Sequence, residues 1–154
     1  MLYQPLLEYS TPYFVRKSEH FSSFQVHMHH EIEILYCISG TLHVKLNGIK
    51  YLIKADEALI IGSMTDHELV GGKDGCSLLL IEFGPVLLRE KFTYLSELKF
   101  DNPILSFSDS ENSAFNAIRD SIYELVNTCG NKSAASDLRT IGELFSLSSA
   151  IISA

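Results

Sequence analysis

The chain has 154 residues, 46% of them hydrophobic and 20% charged, which is the composition of a globular domain with its own core. Its formal net charge of −7 argues against a domain that grips phosphate backbones through a basic surface. The N-terminus lacks the pattern of a secretory signal, and no run approaches the roughly 20 apolar residues that cross a bilayer. We therefore expect a cytoplasmic protein without membrane contact.

Residues 1–25 are rich in aromatic side chains and are interrupted by Pro5 and Pro12. Because proline breaks helices and favours extended backbone, this segment predicts an N-terminal arm followed by a first strand. Two roles remain open for such an arm. It either lies across the mouth of a barrel or covers the edge of a sheet.

The stretch that follows the arm introduces polar groups into an apolar β region. Side chains alternate faces along a strand, so His27 and His29 point the same way. If the chain reverses after His29, Glu33 returns toward the same interior from a neighbouring strand. Glu31 has the same parity as Glu33, and it becomes the inward carboxylate if the turn shifts by one residue. Burying such groups without partners costs several kcal/mol, so the interior must hold a metal, a ligand or water, or the groups satisfy one another.

Residues 26–84 have the pattern of short strands separated by turns. Ser39-Gly40 and residues 71–75 read as turns, and apolar residues alternate with polar ones from Thr41 to Leu46. Asn47-Gly48 is a strong hairpin signal. Several short strands at this regular spacing predict a barrel or a sandwich.

Residues 85–154 change to a helical period. A capping box at Ser108–Glu111 predicts one helix, and a second begins near Ala134 and stops within an apolar pattern at Ala154. We therefore expect the parent protein to continue beyond this point. The wide apolar face of the last helix needs a partner surface, either the barrel or a second subunit, and we expect a homodimer. The predicted dimerisation residues are Leu138, Ile141, Leu144 and Phe145.

The spacing of His27, His29, Glu33 and Gly40 resembles the first signature of the cupin barrel. His67 falls on the ligand position of the second signature, although the glycines and proline around it are replaced. The resemblance implies a mainly β fold, a double-stranded β-helix or jelly-roll barrel with its core at 26–84, followed by two or three α-helices. It also implies a polar quartet able to hold a divalent metal, formed by His27, His29, Glu33 and His67.

A cupin barrel with an aromatic arm and trailing helices resembles the sensing half of AraC-type transcriptional regulators, notably at residues 33–40 and 51–61. This resemblance implies a small polar effector, such as a sugar, in the barrel. It also implies dimerisation through the helices, and DNA binding by a helix-turn-helix domain that is absent from this chain. The expected effector-binding residues are His27, His29, Glu33, Tyr36 and His67.

We expect this domain to bind and signal without catalysis, requiring no cofactor but accommodating a divalent metal. One alternative is a stand-alone metal-dependent cupin enzyme, such as an oxygenase, isomerase or decarboxylase. Three imidazoles and a carboxylate would bind the metal and leave positions open for substrate. The other alternative is a polar core in which the histidines satisfy one another and the barrel serves only dimerisation.

Overall fold

The computed structural model describes residues 2–3, 12–108 and 111–154, so most of the predicted arm lies outside the described residues. The strands are β1 Leu2–Tyr3, β2 Tyr13–Ser18, β3 Ser23–Met28, β4 Ile32–Leu46, β5 Ile49–Lys54, β6 Glu57–Ile61, β7 His67–Phe83 and β8 Ile104–Ser106. The helices are α1 Pro85–Leu88, α2 Phe92–Ser96, α3 Ser113–Thr128 and α4 Ala134–Ser153. None of the helices in these ranges is long and apolar enough to cross a membrane.

The strands form one mostly antiparallel sheet in which β4 and β7 are the long central members. β4 pairs with β5, β6 and β7. β7 pairs with β3 through its first residues and with β2 through residues 78–83. The two long helices, α3 and α4, follow all the described strands in the chain, so the predicted class, a mainly β fold with C-terminal helices, is confirmed.

The turns predicted at Ser39-Gly40 and at residues 71–75 are instead irregularities within β4 and β7. Both strands continue through these points, where their register shifts. Gly40 has a φ of +78°, and a Cβ there would lie 2.1 Å from the carbonyl oxygen of Gly75. The glycine is therefore needed for the close approach of two strands. The predicted hairpin at Asn47-Gly48 is confirmed, because both residues have the positive φ of a type I′ turn.

The first half of β4, residues 32–38, is mostly apolar on both faces because it separates two cores. Leu35 and Cys37 face the interior of the barrel. Ile34 and Tyr36 pack in a second core that also contains side chains of the helices, such as Leu144. This double burial explains why the sequence of this half of the strand is a nearly continuous apolar run, whereas residues 41–46 alternate.

The two long helices pack against each other and against the outside of the sheet. α3 begins later than the capping box at Ser108–Glu111 predicts, because Asn112 caps it by accepting a hydrogen bond from the Ala114 amide at 2.9 Å. α4 begins at Ala134, as its apolar period predicts.

Candidate metal centre

Four polar side chains converge at one end of the barrel interior. His27 lies near the end of β3 and is the register partner of His67, the first residue of β7. His29 lies in the loop after β3, and Glu33 is the second residue of β4. All four are buried, and their donor atoms lie within 4.8 Å of one another. The structure therefore brings the predicted quartet together, although β7 lies between the two strands that we expected to be neighbours.

Glu33 is the centre of the hydrogen bonds in this quartet. Its Oε2 atom lies 3.0 Å from the Nε2 atom of His29 and 3.0 Å from the Nε2 atom of His67. One carboxylate oxygen thus faces two imidazole nitrogens in a buried setting.

The other ring nitrogen of each histidine faces a backbone carbonyl. Because a carbonyl oxygen only accepts, a neutral ring that donates from Nδ1 to this carbonyl has a lone pair on Nε2. The Nδ1 bonds run from His27 to Gln25 at 2.9 Å, from His67 to Thr65 at 2.8 Å and from His29 to Glu31 at 3.3 Å.

These contacts test whether a metal fits. Neutral imidazoles in this tautomer would aim two Nε2 lone pairs at an oxygen of Glu33 that is itself an acceptor. A positive charge must therefore lie between these lone pairs and the Glu33 oxygen. It is supplied either by additional protons on the imidazoles or by one divalent cation among the four groups. Imidazole and carboxylate donors suit Mn, Fe, Ni and Zn, so the residues fit a divalent metal.

The pKa values follow from the same contacts. Burial alone would raise the pKa of Glu33, but the hydrogen bonds from His29 and His67 outweigh it and lower this pKa to about 2. Burial alone would lower the pKa of His67, but the hydrogen bond and charge of Glu33 raise it above its ordinary value. Burial and the charge of His67 lower the pKa of His27. Glu33 is therefore an anion that attracts a cation into the cluster.

Glu31, the alternative inward carboxylate, lies beside the quartet rather than within it. It is buried, and its Oε2 atom has no hydrogen-bond partner among the described residues. That oxygen lies 3.6 Å from the Nδ1 atom of His29. A second buried carboxyl group next to Glu33 further favours a positive charge at the centre.

A cavity of about 320 Å³ adjoins the quartet and is lined in part by His27 and Glu33. Glu82 also lines this cavity, is only 6% exposed and makes no hydrogen bond to any described residue. Burial first, and then the charges of Glu33 and Glu31, raise the pKa of Glu82 to about 8. Sequence reasoning missed this residue. Its signal was a single charged residue in the apolar run from 76 to 83.

Tyr36 is not brought to the quartet. It lies on the opposite face of β4, in the core beside the helices. Its hydroxyl donates to Asp56 Oδ1 at 2.9 Å, and the same oxygen accepts a bond from Tyr123 of α3 at 2.5 Å. Tyr36 therefore belongs to a contact between barrel and helix.

The predicted dimerisation residues occupy different environments on α4. Leu138 is 70% exposed and Phe145 is 46% exposed, whereas Leu144 is fully buried within its own chain. Ile141 is half-buried. Ile152, which was not predicted, is also exposed.

Residues 18–82 match the family of the cupin domain. A comparison with curated protein sequences finds no match. Solved structures with a similar fold include the cupin domain of Schizosaccharomyces pombe Cnp3, at 17% identity over 52% of this chain and 61% of that one, with a TM-score of 0.45. They also include a cupin-2 domain containing protein from Shewanella frigidimarina, at 20% identity over 46% of this chain and 69% of that one, with a TM-score of 0.42.

Oxalate decarboxylase OxdC from Bacillus subtilis, an enzyme with Mn(II) centres, is also similar, at 18% identity over 47% of this chain, with a TM-score of 0.41. The present chain covers only 21% of the length of that decarboxylase. At these identities the similarities concern the fold alone.

Proposed function

We propose, proceeding from the cupin domain that residues 18–82 match, that this chain is a metal-containing, ligand-sensing domain of an AraC-type transcriptional regulator. A divalent cation is held by His27, His29, Glu33 and His67. A small molecule binds in the adjoining cavity, and the helices mediate dimerisation. DNA binding is assigned to a helix-turn-helix domain outside the sequence described.

One observation carries the metal assignment. The Nε2 atoms of His29 and His67 both lie 3.0 Å from the same oxygen of Glu33, while their Nδ1 atoms face carbonyl groups. Removing this conflict between acceptors requires positive charge in the centre of the cluster. When bound, the cation would supply a Lewis-acidic position open to an oxygen donor, either water or an oxygen of a ligand in the cavity.

The metal assignment is tested by loading the purified protein with Mn(II) and measuring the retained metal by elemental analysis. We expect one equivalent in the wild type, and at least about 100-fold weaker binding in Glu33→Gln, because the substitution removes a charged ligand. The matched control is Glu68→Gln, the same change one residue after His67 on a side chain outside the quartet. A wild type that retains no Mn(II), Fe(II), Ni(II) or Zn(II), or an equal affinity in Glu33→Gln, contradicts the assignment.

The sensor role is supported by α4. Leu138, Phe145 and Ile152 recur every seven residues along this helix and are all exposed. This spacing places them on one side of the helix, as in a helix–helix interface, and catalysis in the barrel does not need such a surface. The regulator assignment is checked by reading the gene beyond Ala154. Two helix-turn-helix patterns in a basic segment would support it, whereas an immediate stop codon would contradict it.

A metal-dependent cupin enzyme is the second candidate, and the position of Glu82 favours it. This buried acid lines the cavity together with Glu33 and His27, where a carboxyl group can hold or transfer a proton beside a bound ligand. The two candidates differ in the fate of the bound compound. A sensor releases it unchanged after prolonged incubation with the metal-loaded protein, whereas an enzyme yields a product detectable by mass spectrometry.

A further inference from the structure

Arg16 provides the one guanidinium or ammonium group among the described residues that line the cavity. Its side chain makes no hydrogen bond or ion pair with any described residue, including the cavity-lining Glu82. An Arg side chain presents a planar fork of donors that matches a carboxylate. The cavity thus contains an unused site for an anion.

The strand register places Arg16 and the metal centre at different positions along the strands. Phe14 pairs with Glu82, which also pairs with Glu33, whereas Arg16 pairs with Leu80. Arg16 is therefore two residues further along the strands, a distance of about 7 Å. Arg16 is exposed while Glu82 is buried, so the guanidinium lies at the mouth and the metal centre at the inner end.

The surface between these two ends is mostly apolar. Apart from Arg16, Glu82 and the quartet members His27 and Glu33, Ser18 is the one polar residue among the described lining positions, and the other lining side chains are hydrocarbon. These apolar lining residues are Phe14, Phe21, Phe24, Leu69, Leu78 and Leu80. A ligand that fills the cavity must therefore present an apolar body to these walls.

The charges of the loaded cavity favour an anion. A divalent cation offsets the carboxylates of Glu33 and the neighbouring Glu31, and Arg16 adds positive charge at the mouth. Glu82 is an unpartnered buried carboxyl group at the inner end, where it can form a hydrogen bond with a polar group of the ligand. A neutral apolar compound would leave the guanidinium without a partner, so it makes fewer favourable contacts in this cavity than an acid does.

We propose that the cavity takes a small monocarboxylic acid, with its carboxylate on the Arg16 guanidinium and its apolar body between the phenylalanine and leucine side chains. This inference rests on the proposed function, because it takes the metal centre as the inner end of the cavity. It narrows the ligand from a small polar molecule, such as a sugar, to an organic acid.

The test compares phenylacetate with phenylacetamide, which has the same shape without the charge, by titration calorimetry on Mn(II)-loaded protein. We expect the wild type to bind the acid at least about 10-fold more tightly, as a charge-assisted hydrogen bond predicts. Arg16→Gln should bind both compounds equally. The matched control is Lys17→Gln, which removes one positive charge from the neighbouring position on β2, whose side chain points to the other face.

Electron paramagnetic resonance of the bound Mn(II) separates the possible failures. Arg16 is not among the proposed metal ligands, so Arg16→Gln should hold Mn(II) as the wild type does. If metal is bound but the wild type does not prefer the acid, or if the preference survives Arg16→Gln, this inference is overturned and the metal assignment stands. If the wild type holds no metal, the proposed function fails and the inference fails with it.

Discussion

Glu82 is a carboxyl group that the barrel buries without giving it a hydrogen bond or an opposite charge among the described residues. Its register partner on β4 is Glu33, so two acids face the same interior. Burial and this neighbouring charge raise the pKa of Glu82 to about 8. In the absence of a cation the group is therefore neutral at pH 7, unlike Glu33.

This pKa predicts a specific dependence of stability on pH. Between its ordinary value of 4.5 and its folded value of about 8, Glu82 is protonated in the folded state and ionised in the unfolded state. Its contribution therefore destabilises the fold as the pH rises through this range, by about 1.4 kcal/mol per pH unit. Glu82→Gln should remove that contribution. Urea unfolding from pH 5 to pH 9 in EDTA should show a smaller loss of stability in the variant than in the wild type. An identical dependence of the unfolding free energy on pH in both proteins would contradict the raised pKa of Glu82.

The positions of single residues show where sequence reasoning works. The quartet was predictable because alternation and motif spacing already place His27, His29 and Glu33 together. Tyr36 is three residues from Glu33, so strict alternation puts it on the opposite face of β4, where the structure has it. The meeting of Arg16 and Glu82 at one cavity was not predictable, because it depends on the pairing of β2 with β7.

At the scale of elements, Asp56 connects the sheet to the helices. It lies in the turn between β5 and β6 with a positive φ of 64°, and one of its oxygens accepts hydrogen bonds from Tyr36 and Tyr123. Tyr36 belongs to β4 and Tyr123 to α3, so one carboxylate joins three parts of the fold. Hydrogen bonds to a charged group are among the stronger ones in proteins.

We expect Tyr123→Phe to destabilise the protein by roughly 1–2 kcal/mol, because it removes a bond to a charged acceptor at a partly exposed site. The control is Tyr94→Phe, which removes the hydroxyl of a side chain that is 59% exposed and should change stability by less than about 0.5 kcal/mol. Urea denaturation measures both. Equal stabilities of the two variants would show that Asp56 contributes little to this connection.

Elements were predictable where one local signal decides them, as at Asn47-Gly48 and in α4. The turns expected at residues 39–40 and 71–75 were wrong because glycine serves two purposes. It permits a turn, and it also permits one strand to approach another closely, as Gly40 does with Gly75. Sequence alone does not distinguish these two uses.

At the scale of the whole molecule, the exposed stripe of Leu138, Phe145 and Ile152 is the surface for which we propose a second copy. Phe145→Glu should convert a dimer to a monomer in sedimentation equilibrium, because a carboxylate in an apolar interface would lose its hydration. The control is Asn127→Glu, which adds the same charge at an exposed position of α3. A monomeric wild type would refute the interface, and circular dichroism verifies that both variants fold.

The two ends of β7 pair with different strands, and this arrangement has a consequence for how such a protein changes during evolution. The first residues of β7 pair with β3, which carries His27, and its last residues pair with β2, which carries Arg16. His27, which is proposed to bind the cation, and Arg16, which is proposed to select the ligand, thus lie on separate strands that both pair with β7. Mutations in β2 can therefore alter the proposed ligand selectivity while the residues of the quartet stay unchanged, so one fold can acquire new ligands through changes confined to a single strand.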